Sequence, residues 1–295
     1  MRIGTHSGGF HCDDVFAVGA LKLLYPDAEV VRSRDPDVWK TCDFLVDVGG
    51  LYSADSGRYD HHFRNGPAYS DGLLMSSFGL VWKHHGKDLC GGDEQAAERV
   101  CEQLVRPIDA HDNGISLSLP NPAAPSVREL NVSVLVAVMN PIDAAEADTV
   151  FLEQANWASG VIRRFSTSAC RYVSDAWSTA EAVRQSSLLQ RPWIEVPESV
   201  RWQESIHGCA DSGRLLYVLF PKGGNWYVQA VTQTNGGFRS RKPLPSTWAG
   251  LEGAKLSEAC GVPDAIFCHH SAFTCSAKSR DGALRLLDLA LHHSN

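Results

Sequence analysis

Residues 2–24 read Arg2-Ile-Gly-Thr-His6-Ser-Gly-Gly-Phe-His11-Cys-Asp13-Asp14-Val-Phe-Ala-Val-Gly-Ala-Leu-Lys-Leu-Leu24. A short strand is expected over Arg2–Thr5, then a glycine-containing loop, then a helix capped by Asp13 or Asp14. The apolar side of that helix carries Val15, Phe16, Val18, Leu21 and Leu24, and Pro26 closes it. Working outward, residues 29–32 and 44–48 read as buried strands, the second a nearly continuous apolar run ending in Gly49-Gly50. Strand, helix and strand at this spacing make a βαβ unit. The expected fold is therefore α/β, a parallel sheet with helices on its faces and a site in the loops at the strands' C-terminal ends.

The remaining chain extends this pattern. Helices are expected at 76–84 and 93–104, and a loop at 117–126, which holds three of the 14 prolines. From there to about residue 190 the pattern is helical, with Phe151, Trp157, Ile162, Phe165 and Tyr172 as a packing stripe. A second α/β unit follows, with strands near 215–220, 226–232 and 265–268, a Gly-Gly turn, and a last helix from Asp281. At 295 residues the chain is near the length at which one core divides into two. The domains are expected at 1–125 and 191–295, joined by a helical connection over 126–190.

Hydrophobic residues make up 44% and charged residues 21%, which excludes wholesale disorder. No apolar run approaches the roughly 20 residues of a membrane helix, and no signal-peptide stretch opens the chain. Nine cysteines without a CxxC pair argue against a disulfide framework or zinc ribbon, and point to reduced thiols in a cytoplasmic protein. The net charge of −7 lies entirely in residues 1–120, as do seven of the 12 histidines. A cation site needs that combination, although a solvated acidic surface has the same composition.

Four clusters carry chemistry. His6-Ser-Gly-Gly-Phe-His11-Cys-Asp13-Asp14 puts imidazoles and carboxylates on a glycine loop entering a helix, a donor set suited to Mn, Fe, Co or Zn. Asp47 closes the apolar strand, at the crevice where α/β sheets bind ligands. Tyr59-Asp60-His61-His62-Phe63 is rare by composition: 21 Asp and 12 His in 295 residues give Asp-His-His by chance about 0.03 times. Pro107-Ile-Asp109-Ala-His-Asp112-Asn-Gly114 offers two carboxylates that share a face if helical, or else a capped helix end. The pair His84-His85 reads as structural.

In this order the clusters resemble the DHH phosphoesterase superfamily. More narrowly, the chain resembles the MYG (melanocyte proliferating gene) family of DHH-type exonucleases, catalogued as uncharacterised metal-dependent hydrolases. The resemblance extends through Ser77-Phe-Gly-Leu-Val-Trp-Lys-His84, Phe238-Arg-Ser-Arg-Lys-Pro-Leu-Pro245, Trp248-Ala-Gly-Leu251 and Gly282-Ala-Leu284. It implies a DHH-type metal-binding domain at the N-terminus and a substrate-binding domain at the C-terminus. It also implies two divalent ions, manganese foremost. His6, His11 and Asp47 would hold one ion, and Asp13, Asp47, His61 and Asp109 the other, with Asp47 bridging. Asp60 and His62 then orient and contact phosphate, and Asp112 is either a catalytic group or the replacement for Asp109.

In the second domain, Arg239, Arg241 and Lys242, with Lys278 and Arg280, are expected to hold a phosphate-bearing substrate. Residues 212–295 carry a local net charge of +4. Related domains have a glycine-rich loop where this chain has Phe273-Thr-Cys-Ser-Ala-Lys278. The expected activity is release of nucleotides from RNA or DNA ends by two-metal chemistry in the cleft. The rivals are a phosphoesterase for an oligonucleotide, dinucleotide or pyrophosphate-like substrate, and a non-catalytic metal- or nucleotide-binding module.

Overall fold

The first strand β1 (Arg2–Thr5) lies in the middle of the chemistry. It pairs in parallel with β2 (Glu29–Arg32) on one side and with β3 (Phe44–Val46) on the other. Helix α1 (Cys12–Leu24) crosses between β1 and β2, and the short α2 (Pro36–Trp39) precedes β3. The hairpin strands β4 (Tyr52–Ser53) and β5 (Arg58–Tyr59) complete the sheet, in the order β2-β1-β3-β5-β4. β5 runs parallel to β3, and β4 antiparallel to β5. β1, β3 and β5 therefore end on the same edge, where a parallel sheet exposes its loops.

The computed structural model describes residues 1–119, 121–124, 126–127 and 130–293. The predicted loop at 117–126 includes Pro120 and Pro125, which lie outside the described residues. The described chain separates into two compact units, Met1–Arg171 and Tyr172–Asn295.

In the first unit, α3 (Ser77–Leu89) packs on α1, with Phe78 tilted against Phe16 at 5.5 Å. Residues 94–112 form one helical run: α4 (Glu94–Val100), a π-helical turn over Cys101–Val105, and α5 (Arg106–Asp112). Pro107 has no N–H for the ladder, and the widened turn before it accommodates its ring. Then come α6 (Val132–Val138) and the long α7 (Ala147–Leu188), within which the division between units falls. Gly19 lets α1 approach α7 closely: a Cβ there would lie 2.9 Å from the Ala155 carbonyl oxygen. Ser159 Oγ then donates to the Gly19 carbonyl at 2.8 Å.

The second unit holds a mostly antiparallel sheet in the order β6-β7-β8-β10-β9. Its strands are β6 (Trp193–Glu195), β7 (Tyr217–Lys222), β8 (Asn225–Ala230), β9 (Ala265–Cys268) and β10 (Thr274–Ala277), and only β6 and β7 pair in parallel. Helices α8 (Gly253–Cys260) and α9 (Arg280–His292) bury Leu256, Leu286 and Leu287 against the sheet. The segment matched to a glycine-rich loop in related domains is strand β10 here. All nine cysteines are free. No helix among the described residues is long and apolar enough to cross a membrane.

Candidate metal centre

Each of the three parallel strands hands a donor to the same edge. His6 follows β1, and the turn after it needs Gly8 at φ +94°, a conformation L side chains rarely adopt. That turn brings His6 and His11 to 6.0 Å between ring centroids. The sequence pointed to Asp13 or Asp14 as the cap of α1, but the cap is His11. Asp14, three residues on, accepts the His11 backbone N–H at 2.9 Å. Its other oxygen is thereby held 3.1 Å from His6 Nε2.

Asp47 follows β3 at φ +56°, a left-handed conformation that costs a non-glycine residue about 1–3 kcal/mol. Its backbone N–H is held by the Tyr59 carbonyl at 3.2 Å. The strained turn aims one carboxylate at three histidines: Oδ2 is 3.2 Å from His6 Nε2, while Oδ1 is 3.1 Å from His61 Nε2 and 3.4 Å from His62 Nδ1. Ser77 Oγ also donates to Oδ1, at 3.1 Å.

Asp60, His61 and His62 follow β5. Asp60 is buried and faces its own strand turn: Oδ1 accepts the His62 N–H at 3.0 Å and lies 2.9 Å from His62 Nδ1, while Oδ2 accepts the Gly50 N–H. His62 is thus oriented through Nδ1, with its side chain 62% exposed. Asp13, on the first turn of α1, has Oδ2 3.7 Å from His61 Nε2 and accepting from the Ser77 N–H at 3.3 Å. Asp112, at the end of α5, lies 3.5 Å from the same His61 nitrogen.

These contacts form three groups of convergent donors: His6, His11 and Asp47; Asp47, His61 and His62; and Asp13, His61 and Asp112. Asp109, assigned to the metal by the resemblance, is not among them. Its Oδ1 accepts from Ser76 Oγ at 2.6 Å and the Gly79 N–H at 3.2 Å, and its Oδ2 accepts from Tyr69 Oη at 2.7 Å. A carboxylate bound on both oxygens by protein donors ties α5 to α3, and Asp112 one turn later faces the donors instead.

Electrostatics follow from this crowding. Burial disfavours a charge on His6, but hydrogen bonds and charges from Asp14 and Asp47 outweigh it and raise His6 to about 10. Burial likewise opposes ionisation of Asp47, yet His6 and His61 hold its carboxyl below the usual carboxylate range. Asp13 is pushed well up by burial and by Asp47, Asp112 and Asp14. Its Oδ1 is buried without a hydrogen-bond partner, and Asp14 Oδ2 faces only His6. Repelling carboxylates with an orphaned oxygen beside imidazoles fit divalent cations, which relieve that repulsion and accept mixed nitrogen and oxygen donors. His6 Nδ1 lies 3.3 Å from the Ser7 carbonyl, so Nδ1–H donation there leaves Nε2 as the ligand atom.

The basic residues expected to grip substrate divide into two sets. Arg239 and Lys278 are exposed. Arg241 is not available: its Nη1 donates to the carbonyls of Ser212 and Leu215, the latter at 3.0 Å. Lys242 Nζ donates to the Leu291 carbonyl at 2.6 Å. Arg280 is clamped on Glu195 at 3.0 and 2.6 Å. These three side chains are engaged by acceptors of their own unit.

Asp14, read from the sequence both as a donor of the first cluster and as a candidate cap, completes a capping box with His11 while also reaching His6. One residue beside the site escaped sequence reading. Arg34 follows β2 and donates from Nε to the Ser7 carbonyl at 3.2 Å, with Nη2 3.4 Å from His6 Nδ1. Its signal was its place just beyond a parallel strand beside β1. His84 and His85 pair with tyrosines, Tyr52 Oη at 2.6 Å and Tyr59 Oη at 2.9 Å.

A sheet that gathers histidines and aspartates at the ends of three parallel strands defines an α/β protein with a candidate metal centre. The chain belongs to the family described as "Uncharacterised protein family (UPF0160)", which matches residues 2–291. It is 32% identical to "MYG1 exonuclease" of Homo sapiens, over 97% of this chain and 84% of the human protein. It is also 32% identical to "MYG1 protein C694.04c" of Schizosaccharomyces pombe, over 99% of this chain and 97% of that protein. Among solved structures, RecJ from Thermus thermophilus in complex with Mn2+ aligns at 13% identity and a TM-score of 0.28. That alignment covers 100% of this chain and 52% of the RecJ chain.

Proposed function

We propose that this protein is a metal-dependent phosphoester hydrolase that releases nucleotides from RNA or DNA ends. Asp47 carries the reading, because its two oxygens reach His6 on one side and His61 on the other. His6, His11 and Asp47 would hold one divalent cation, and Asp13, Asp47, His61 and Asp112 a second. The name of the human relative, an exonuclease, supports the reaction class. The mixed nitrogen and oxygen donor set favours manganese over magnesium, which prefers oxygen ligands alone.

Two bound cations would lower the pKa of a water and brace both oxygens of an in-line phosphoryl displacement. The chain's own groups do the rest. Asp60 holds His62 through Nδ1, which leaves Nε2 to contact a phosphoryl oxygen or to protonate the leaving group. Arg34, beside His6, adds positive charge where the phosphate would dock.

Replacing Asp47 with Asn tests this directly. It removes a charge shared by both donor groups and should lower manganese-dependent hydrolysis of a 5′-phosphorylated oligonucleotide on the order of 10³-fold. Far-UV circular dichroism should stay unchanged. Near-normal turnover in Asp47→Asn overturns the reading. A short-substrate version of the activity draws on one specific observation: three of the five candidate substrate cations are engaged within the protein.

A further inference from the structure

Beside the Asp60–His62 pair, Gly50, Leu51, Tyr52, Phe63, Asn65 and Pro67 wall an open pocket of about 360 Å³. That volume lies within the range of small-ligand sites. Nothing in the hydrolytic arrangement uses these side chains, yet two of the walls are tied to it. Phe63 directly follows His62, and its N–H donates to the His61 carbonyl at 2.8 Å. Gly50 gives its N–H to the same Asp60 carboxylate that orients His62. One buried aspartate thus fixes both the pocket wall and the histidine beside it.

The chemistry of the walls is specific. Phe63 is an aromatic side chain left 37% exposed, and Leu51, on another wall of the same pocket, is 53% exposed. The Tyr52 ring is pinned by its hydroxyl on His84 Nε2 at 2.6 Å. Asn65 sits at φ +60°, and its exposed amide offers two donors and an acceptor. A flat apolar ligand with a hydrogen-bonding edge suits such walls, and a nucleotide carries that group on the same sugar as its phosphate.

We propose that this pocket receives the nucleobase of the nucleotide whose phosphate lies at His62, with Phe63 as its stacking surface. The inference rests on the phosphoester-hydrolase reading and narrows it: the substrate must present an aromatic base at the reacting end. A base-free phosphodiester or a pyrophosphate lacks the group the pocket takes.

The experiment compares two substrates with manganese: a 5′-phosphorylated adenine dinucleotide and the same backbone with abasic sugars. For the wild type, kcat/KM for the adenine dinucleotide should exceed that for the abasic one by about 5- to 150-fold, the range of a lost stacked base. Phe63→Ala should collapse this ratio to near unity, and Phe63→Tyr, which keeps the ring, should restore it. A wild type that hydrolyses both dinucleotides equally, or a Phe63→Ala variant that keeps the full preference, overturns the pocket and leaves phosphoester hydrolysis standing. A wild type that hydrolyses neither dinucleotide nor a longer oligonucleotide overturns the reading beneath it.

Discussion

At the scale of single residues, the choice between Asp109 and Asp112 shows what a sequence withholds. Both lie in Ile108-Asp-Ala-His-Asp112, three apart on one helix, and only the surroundings separate them. Asp109 is buried against Ser76, Tyr69 and Gly79, whereas Asp112 reaches His61 at 3.5 Å. Asp112→Asn should therefore weaken manganese binding by at least about 10- to 100-fold in a calorimetric titration, and Asp109→Asn should bind as the wild type does. Asp109 has a different signature, in pH. Burial raises its carboxyl to about 6, while Ser76 and Tyr69 hold it down in part. Since this is above the usual 3.8, the folded protein binds the proton more tightly than the unfolded chain does. The resulting stability is present below about pH 3.8 and lost as pH rises through about 6. Urea unfolding from pH 4 to 7 should show Asp109→Asn gaining on the wild type by on the order of 3 kcal/mol. Parallel pH profiles for the two proteins would remove Asp109 from this role. Asp47 was legible because a strand ending in Gly49-Gly50 announces a site edge. Asp14 was legible as a member of the first cluster, but its double use was not, because capping and ion pairing draw on the same side chain.

Secondary-structure elements were legible where hydrophobic period and punctuation agree. β1 and β2 fall at the residues read as strands, although β2 is only half-buried where a buried strand was expected. α1 ends at Leu24 ahead of Pro26 but starts at Cys12, before either expected cap. The helical run at 94–112 was read only to 104, because Pro107 resembles a stop and the π-helical turn that accommodates it leaves no sequence mark. β10 was missed for a related reason: Thr274-Cys-Ser-Ala277 is small and polar, and it becomes a strand through pairing with β8 and β9 on either side. Tertiary pairing overrides local preference there. The α3–α5 contact carries its own test. Gly79 on α3 lies so close to α5 that an added Cβ would stand 2.2 Å from Asp109 Oδ2. Overpacking of this kind costs about 1–3 kcal/mol. Gly79→Ala should thus lower the urea midpoint with an unchanged denaturant slope, and Gly160→Ala on α7, where nothing lies within 4 Å, should not. Equal behaviour of the two glycine variants would mean that α3 and α5 have room to separate.

At the scale of the whole molecule the question raised by the proposed function is how an acidic protein would hold a polyanion. The net charge of −7 sits in the first 120 residues, which also hold the candidate metal centre, and bound cations would offset part of it before a phosphate approached. Residues 212–295 of the second unit carry a local net charge of +4, but not every one of their cations faces solvent unpaired. Arg241 feeds two backbone carbonyls, Lys242 another, and Arg280 neutralises Glu195. Composition counts a guanidinium whether it faces solvent or a carbonyl, and only the structure separates the two. Arg239, Lys278 and Arg280 are the three of the five left exposed, Arg280 paired with Glu195, and the first two separate the long-substrate from the short-substrate reading. If they track a nucleic-acid backbone, Arg239→Ala with Lys278→Ala should raise KM for a 20-nucleotide strand far more than for a dinucleotide. The same pair should reduce the slope of log affinity against log salt by about 0.7 per lost single-strand contact. Arg241→Ala should leave that slope alone and instead lower the melting temperature, because it strips hydrogen bonds from Ser212 and Leu215, at about 1–2 kcal/mol. Should the Arg239 and Lys278 double variant lose equally on long and short strands with its salt slope intact, the backbone contact is absent. The substrate is then short, and recognition falls to the metal centre and the walls beside His62.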